Sequence, residues 1–562
     1  MKKKCCVLLG AALFFGAAGC SGGFTDEQKA NALIIEVFGG GYGTDMIYAL
    51  ANKYSQKTGK QVLISVQTGS QGVTNMSTNL RSYAADTDIF FTKGTLFSDI
   101  YKGEVSIGGT TYECLFEDLT DLYNTKLEGE DVLYKDKMLD NYEEYYNMQP
   151  DSETGKYYFT AWASGAVGFV VNTDVWKDSW GVPRTTNELF EVCDKIKAES
   201  SAAPFIYSGG DEYWTMLSQL WMAQYEGKAQ MDKFYAGYDY DGKRYSDNMA
   251  AYDGYLETLK FYDRLLKKEN GYMHSASKDA DFTNMQGLFL QGKAAITPNG
   301  DWIEGEMKYN YPDANIKMIK TPVISALADK CSFAGSANAD ELLRSLVDYA
   351  DGVISERPAG CTEEDAEIVR EARKVELAGA GPDHIALIPC YSNQKESAKD
   401  FLLYMASEEG CAIYRENTGG CELPFVSSGD TQNKYSSFRE SVRDLLNRSS
   451  LCVVSSKDKI YSIGGISVYL YNNAYGRFVT RFSADSAKDY VSPLDYYSAE
   501  MEAIKKLLPS AKQRIEEYEE KMSEKIYVGG FFRSVIRFVR RVRKNSRRRR
   551  QYKSRLRNVV YL

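Results

Sequence analysis

The chain has 562 residues, more than one hydrophobic core usually holds, so the sequence predicts two or more domains. Its 44% hydrophobic and 26% charged residues are ordinary for a globular protein. Residues 531–562 carry 13 Lys or Arg and no acids, and residues 1–20 carry three Lys and no acids. Residues 21–530 are therefore left with 52 bases and 77 acids, a net charge of −25. A protein with this excess of negative charge between its two ends repels nucleic acid and anionic lipid, which argues against a nucleic-acid-binding core.

The N-terminus has the features of an export signal. Three lysines follow Met1, an apolar segment runs from residue 5 to residue 18, and small residues precede Cys20. This arrangement resembles a bacterial lipoprotein signal, in which Cys20 would be lipidated (palmitate) and become the mature N-terminus, although Ala17 stands where that pattern prefers Leu. An ordinary signal peptide or an uncleaved anchor is the alternative. We expect residues 1–20 to be the signal peptide and residues 21–31 a flexible tether.

The cysteine and histidine contents argue against metal and triad chemistry. The eight cysteines after Cys20 are widely spaced and include no C-x-x-C, so zinc-ligand spacing is absent. His274 and His384 are the only histidines, which gives little support to a His-based metal centre or a nucleophile–His triad. We therefore expect no metal and no cofactor.

Strand and helix patterns alternate from residue 32 onward. Ala32–Phe38 predicts a buried strand, the glycine-rich Gly39–Gly43 a loop, and the next residues a helix that ends at Gly59. A second strand, Gln61–Gln67, completes a strand–helix–strand unit and predicts a parallel sheet. The glycines fit neither G-x-G-x-x-G nor G-x-x-x-x-G-K-[ST]. They instead indicate an exposed backbone loop at the carboxyl end of a strand, where ligands bind in open α/β sheets.

Further strands follow at Asp88–Thr92, which leads into Lys93, and in the apolar segment Tyr157–Val171. In the segment 288–307, a short strand at residues 294–296 would be stopped by Pro298, which cannot donate to a ladder. The following turn would place Asp301 as the N-cap of a helix that begins with Trp302. A helix N-terminus with an indole can form a polar ligand site, and a surface turn with a core Trp is the alternative.

Three segments in a fixed order carry a family resemblance: VGFVVNTDVWKDSWGVPRTTNELFEVCDKIK, LFLQGKAAITPNGDWIEGEM and AKDFLLYMASEEGCAIYRENTGGCELPFV. The chain resembles the carbohydrate-binding group of extracellular solute-binding proteins of ABC importers over residues 32–430. This implies an α/β, two-lobed periplasmic-binding-protein-like fold, in which each lobe is a mainly parallel sheet flanked by helices. A multi-strand hinge would join the lobes, with crossings near Ser164, Pro298 and Pro389.

The resemblance also implies domain boundaries. The first lobe would comprise residues 32–160 and 300–388, with an acidic helical insertion at about 325–381. The second lobe would comprise residues 161–299 and 389–526. The basic residues 527–562 could lie on lipid or bind nucleic acid, and we interpret them as a disordered or accidental extension.

The function implied by the resemblance is solute capture. The protein would be a monomer and not an enzyme, lipid-anchored at Cys20 on the extracytoplasmic face of a bacterial cell membrane. It would close its hinge over a sugar or oligosaccharide and deliver it to an ABC transporter permease. Sugars present apolar C–H faces and rings of hydroxyls, which aromatic rings flanked by polar side chains can hold. The expected ligand-binding residues are Tyr42, Gly43, Ser70, Lys93, Trp162, Glu212, Trp214, Asn299, Asp301 and Trp302.

Two alternative functions stay open. A secreted glycoside hydrolase needs two carboxylates across a cleft, and with 77 acidic residues spacing alone does not exclude it. A binder of peptides or other polar solutes is the second, because the resemblance defines the scaffold better than the ligand. Turnover of oligosaccharides would favour the hydrolase, whereas stoichiometric binding without products would favour the binding protein.

Overall fold

The computed structural model describes residues 25–521, with gaps at residues 30, 84–85, 95, 97–98, 101–102, 140–141, 143–155, 210–212, 380–383 and 429–434. The expected signal peptide, including Cys20, and the basic residues 527–562 lie outside the described residues. The strands are β1 (Leu33–Phe38), β2 (Val62–Gln67), β3 (Ile89–Lys93), β4 (Val105–Ile107), β5 (Thr110–Tyr112), β6 (Thr160–Ala161), β7 (Ala166–Asn172), β8 (Ala203–Phe205), β9 (Ala294–Gly300), β10 (Ile316–Ile319), β11 (Val375–Ala378), β12 (His384–Leu387) and β13 (Ser450–Cys452).

The first lobe is built on a five-stranded sheet in the order β2-β1-β3-β12-β6. Strands β1, β2 and β3 are parallel, as the strand–helix–strand pattern predicts, and β12 is antiparallel to both of its neighbours. All six residues of β1 are buried, which suits a central parallel strand covered by helices. Helices of this lobe are Asp45–Thr58, Gly69–Ser82, Thr120–Tyr123, Tyr134–Lys137, Lys395–Ala406 and Glu408–Asn417.

The second lobe contains a six-stranded sheet in the order β13-β11-β7-β9-β8, with β10 paired to the same edge of β7 as β11. The sheet is mixed: β9, β10 and β11 run antiparallel to β7, while β8 is parallel to β9 and β13 is parallel to β11. Strand β7 is thus reversed relative to the other five, which run in a common direction, in keeping with the expected mainly parallel sheet. Its helices are Thr186–Glu199, Tyr213–Glu226, Lys228–Tyr235, Asp253–Leu266, Phe282–Leu290, Ile303–Met307, Ala339–Ala350, Glu363–Lys374, Ser437–Asn447, Lys459–Ser462, Phe478–Phe482 and residues 493–521. Single-turn 3-10 helices occur at Asp178–Trp180 and Lys268–Asn270, and a longer one at Ser325–Lys330.

The strand pairing differs from the expected lobe boundaries. Residues 300–379 stay in the second lobe, because β10 and β11 both pair with β7. Pro298 does not end its strand, and it pairs with Phe169 of β7. On the other side of β9, the pairing with β8 ends at Ile296, two residues earlier, so the missing N–H of Pro298 interrupts no hydrogen bond to β8.

The chain crosses between the lobes three times, and described residues that flank these crossings lie together. The first passes through Ser164 and Gly165, as expected near Ser164. The backbone of Ser164 pairs with Glu422, and the N–H of Gly379 donates to the carbonyl oxygen of Gly165 at 2.9 Å. The chain returns to the first lobe between Gly379 and β12, and it leaves again after residue 428. These crossings replace those expected near Pro298 and Pro389, which lie inside the second and first lobes.

The segment after residue 435 is an integral part of the second lobe. Helix Ser437–Asn447 packs on β10, and β13 extends the sheet beside β11. Glu500, on the helix over residues 493–521, is fully buried and accepts hydrogen bonds from the backbone and side-chain nitrogens of Asn472 and Asn473 at 2.5 to 3.0 Å. None of the described helices has the length and apolar composition that crossing a bilayer requires.

Replacing Glu500 by Ala should lower the free energy of unfolding by about 3 kcal/mol, because two buried donors of Asn473 and two partly buried donors of Asn472 lose their acceptor. Glu502→Ala, two residues away on an exposed position of the same helix, should change it by less than about 0.5 kcal/mol. Denaturant unfolding measures both. Equal effects of the two substitutions would contradict a role for Glu500 in fixing this segment.

Candidate functional site

The two lobes meet where the glycine-rich loop of the first lobe contacts a turn and a short helix of the second. We call this contact the interlobe seam, and it comprises Gly39–Gly43, the turn Asn299–Trp302 and helix Ile303–Met307. The backbones approach closely there, since a Cβ added to Gly305 would lie 3.0 Å from the carbonyl oxygen of Gly41. The carboxyl end of β1 and the end of β9 therefore face each other across the seam.

Asp301 lies at the centre of the seam and is 1% exposed. One carboxylate oxygen accepts a 2.8 Å hydrogen bond from the hydroxyl of Tyr42 in the first lobe, and the other accepts one of 2.8 Å from Arg439. Burial raises the pKa of Asp301, and Arg439 and Tyr42 lower it only in part. The carboxylate thus joins the lobes, and it does not cap the helix as expected: the N-cap position is Trp302, without a side-chain cap.

A second carboxylate, Glu306, faces the first lobe from the short helix. Gln286 donates a 2.8 Å hydrogen bond to it. It also accepts from the backbone N–H of Gly41, and it lies near Lys93 and His384. Burial raises the pKa of Glu306 more than these neighbours lower it. Donors and acceptors from both lobes therefore converge within this part of the seam.

Trp302 supplies the aromatic surface of the seam. Its side chain is half-buried and packs against the hydrophobic cores of both lobes. The ring of Tyr213 lies beside it, with the ring centroids 6.4 Å apart. A Cβ on Gly300 would lie 2.2 Å from the indole ring, so a residue without a side chain is required there.

The two other tryptophans expected to be ligand platforms are core residues. Trp162 is fully buried in the first lobe, and its indole N–H donates to the carbonyl oxygen of Thr92 at 3.1 Å. Trp214 is fully buried in the second lobe, with its ring 5.6 Å from that of Tyr262. Neither presents a ring face to solvent, because both complete the packing under a sheet.

Of the remaining expected residues, Gly43 and Asn299 belong to the seam, whereas Ser70 and Lys93 lie in other elements of the first lobe. Lys93 is exposed at the end of β3, and Gly43 has a φ of +75° in the glycine-rich loop. Ser70 stands in the first turn of the helix after β2. Asn299 is buried, and its amide oxygen accepts from the next backbone N–H at 2.8 Å. Glu212 lies outside the described residues.

The sequence interpretation missed Arg439, Glu306, Gln286 and His384. Glu306 could have been found, since it stands four residues after Trp302 and such residues share a helix face. His384 is the first residue of the observed strand β12. Arg439 carries no such signal, because its partner Asp301 is 138 residues away in the chain.

A separate open groove of about 400 Å³ lies on the second lobe, and no seam residue lines it. Among its lining residues are Lys197, Ser200, Pro204, Met273, His274 and Lys293. Within the described part of the chain, no three His, Cys, Asp or Glu side chains are placed to hold a metal ion together.

The chain belongs to a family of bacterial binding proteins. The family model described as bacterial extracellular solute-binding protein matches residues 40–330, which include the glycine-rich loop and the whole of the seam contributed by the second lobe. A search of the curated proteins found no match.

Solved structures share the fold at low sequence identity. RafE in complex with raffinose is 16% identical, with a TM-score of 0.51, and the match covers 85% of this chain and 100% of that one. Maltose-bound MalE3 of T. maritima is 13% identical, with a TM-score of 0.53 and coverages of 85% and 99%. The GacH receptor of Streptomyces glaucescens GLA.O, solved unliganded and with acarbose, is 13% identical, with a TM-score of 0.54 and the same coverages. At these identities the likeness establishes the two-lobed fold.

Replacing Gly165 by Ala should lower the free energy of unfolding by about 1 to 3 kcal/mol, because the new Cβ would lie 2.3 Å from a carboxylate oxygen of Asp301. Gly287→Ala is the matched control. Its nearest neighbour would be the Tyr311 hydroxyl at 3.7 Å, and Ala in a helix is favoured over Gly by up to about 1 kcal/mol. Denaturant unfolding of both variants tests the close packing of Asp301 against Gly165. An unchanged free energy of unfolding in Gly165→Ala would contradict this packing.

Proposed function

We propose that this protein captures a sugar or an oligosaccharide in the interlobe seam and delivers it to the permease of an ABC importer. The observation that carries the proposal is the content of the seam at the junction of both lobes. It holds the half-buried ring of Trp302, which packs on both cores, and, four residues further along the chain, Glu306 with Gln286, Lys93 and His384 around it. Such a ring can stack on the C–H face of a sugar while the polar groups bond its hydroxyls.

The binding step is hinge motion. Rotation of one lobe relative to the other separates Glu306 from the glycine-rich loop and breaks the 3.2 Å ion pair of Asp45 with Lys308, which spans the lobes. The opened seam then offers Trp302 and the polar groups to a sugar, and closure encloses it. The sugars named for RafE, MalE3 and GacH support a ligand of this class.

A hydrolytic function has less support than binding. The seam holds two carboxylates, but Asp301 is already bonded to Arg439 and Tyr42. It would have to give up these partners before acting on a glycosidic bond. Membership of a solute-binding family also favours a binding protein over an enzyme.

A panel of raffinose, maltose and acarbose should contain a sugar that raises the melting temperature. A ligand at a hundred times its Kd that binds only the folded state stabilises it by about 2.7 kcal/mol. For that sugar, Trp302→Ala should weaken binding about tenfold, or about 1.4 kcal/mol, because the stacking face is lost. Tyr309→Ala should leave the affinity unchanged, since this nearby ring is 83% exposed and outside the seam.

Two outcomes would contradict the proposal. Release of shorter sugars on incubation with oligosaccharides would indicate a hydrolase. Equal loss of affinity in Trp302→Ala and Tyr309→Ala would remove Trp302 from the binding site.

We further propose that lipidation of Cys20 anchors the protein at the extracytoplasmic face of the membrane, where it acts as a monomer. The protein from bacterial membranes should then carry acyl groups by mass spectrometry and partition into detergent. Cys20→Ser should abolish both, while Cys114→Ser, a change at a buried cysteine of the first lobe, should not. An unacylated wild-type protein would contradict the anchor.

A further inference from the structure

Arg439 reaches the seam from a part of the chain beyond the family match. It lies in the first turn of helix Ser437–Asn447, whose N-cap, Ser436, accepts a 3.0 Å hydrogen bond from the Arg439 backbone N–H. The neighbouring Phe438 is buried in the second lobe, which fixes the helix in place. The Arg439 side chain is 2% exposed and points into the seam towards Asp301.

The guanidinium holds Asp301 at two separate points. One nitrogen donates to the carboxylate and another to the backbone carbonyl oxygen, both at 2.8 Å. Side chain and main chain are therefore fixed together, immediately before Trp302. A fork of this kind requires the planar geometry of Arg, since the ammonium group of Lys is a point charge.

The first lobe closes around the same pair. Tyr42 bonds the second carboxylate oxygen of Asp301, and a Cβ on Gly420 would lie 2.6 Å from the Arg439 side chain. The other ionisable groups near Asp301, Tyr42 and Arg439 are Tyr142, Glu304, His384, Tyr414 and Cys421. Arg439 is therefore enclosed by both lobes.

We propose that Arg439 is a positioning residue of the ligand site. By holding Asp301 at both points, it orients Trp302 and presents the carboxylate to Tyr42 across the seam. The C-terminal continuation is thereby a component of the site, although the family match ends at residue 330. The proposal rests on the proposed function for the role of Trp302 as a sugar platform, whereas its tests use the protein without sugar.

The first test is the fluorescence of Trp302. Each protein is compared with the same protein that also carries Trp302→Phe, and the difference between the two emission spectra isolates the Trp302 indole. Arg439→Gln should shift the Trp302 emission to the red, because the turn is released and the ring gains water contact. Arg439→Lys should give a smaller shift, since one contact can be kept. The control is Arg448→Gln, which removes an exposed Arg at the end of the same helix and should not shift the Trp302 emission.

The second test is the pH dependence of unfolding. Without Arg439, the pKa of the buried Asp301 carboxyl group rises further, because the positive charge that lowered it is gone. As the pH rises from about 4, the pKa of a free Asp carboxyl group, towards neutrality, ionisation then favours the unfolded state, so the stability deficit of Arg439→Gln relative to wild type should grow. Adding Asp301→Asn should abolish this growth. Burial raises the pKa of Cys421 and of Tyr142 to about 12, so neither titrates in this range.

The two readouts separate positioning from simple packing. A lower melting temperature of Arg439→Gln with unchanged Trp302 emission and no added pH dependence would overturn the proposal. If this variant does not fold, Arg439→Lys and the Asp301→Asn, Arg439→Gln double variant take its place. Wild-type emission in both of these would overturn the proposal as well. Failure of every sugar to bind would refute the proposed function and leave these readouts unaffected.

Discussion

The buried ion pair between Asp301 and Arg439 is the constraint on which the seam depends. Taking a carboxylate and a guanidinium out of water costs several kcal/mol each, and the pair offsets this only if its geometry is complete. Here the carboxylate also bonds Tyr42, and the guanidinium also bonds a backbone carbonyl. Loss of one partner would leave the other buried without its counter-charge.

The hinge and the candidate site share residues. Gly165, in the first crossing, lies directly against the Asp301 carboxylate, and the Asp301 backbone N–H donates to the carbonyl oxygen of Ala166 at 3.1 Å. Trp302 follows in the chain and packs on both cores. Any rotation of the lobes therefore takes place next to the proposed platform. This proximity gives a physical route by which a bound sugar would stabilise one lobe arrangement over another.

Local patterns in the sequence predicted the elements well and their partners poorly. The strand Leu33–Phe38 and the helix that ends before Gly59 follow from apolar spacing and a left-handed C-cap, both of which are local. The sheet to which β10 and β11 belong depends on pairing across the chain, which no local pattern encodes. The turn before Trp302 predicts a capping role for Asp301, and its actual partner, Arg439, is too distant in sequence to leave a local signal. Trp162 was expected in the cleft because composition does not distinguish a core indole from an exposed one.

A ligand site in the seam would involve both lobes. Hydrogen–deuterium exchange with and without the sugar that raises the melting temperature can show this. We expect the sugar to slow exchange in the first-lobe peptide over residues 39–43 and in the second-lobe peptide over residues 299–307 together. Slower exchange in only one of these peptides, or only around the groove beside Lys197 and Lys293, would contradict it.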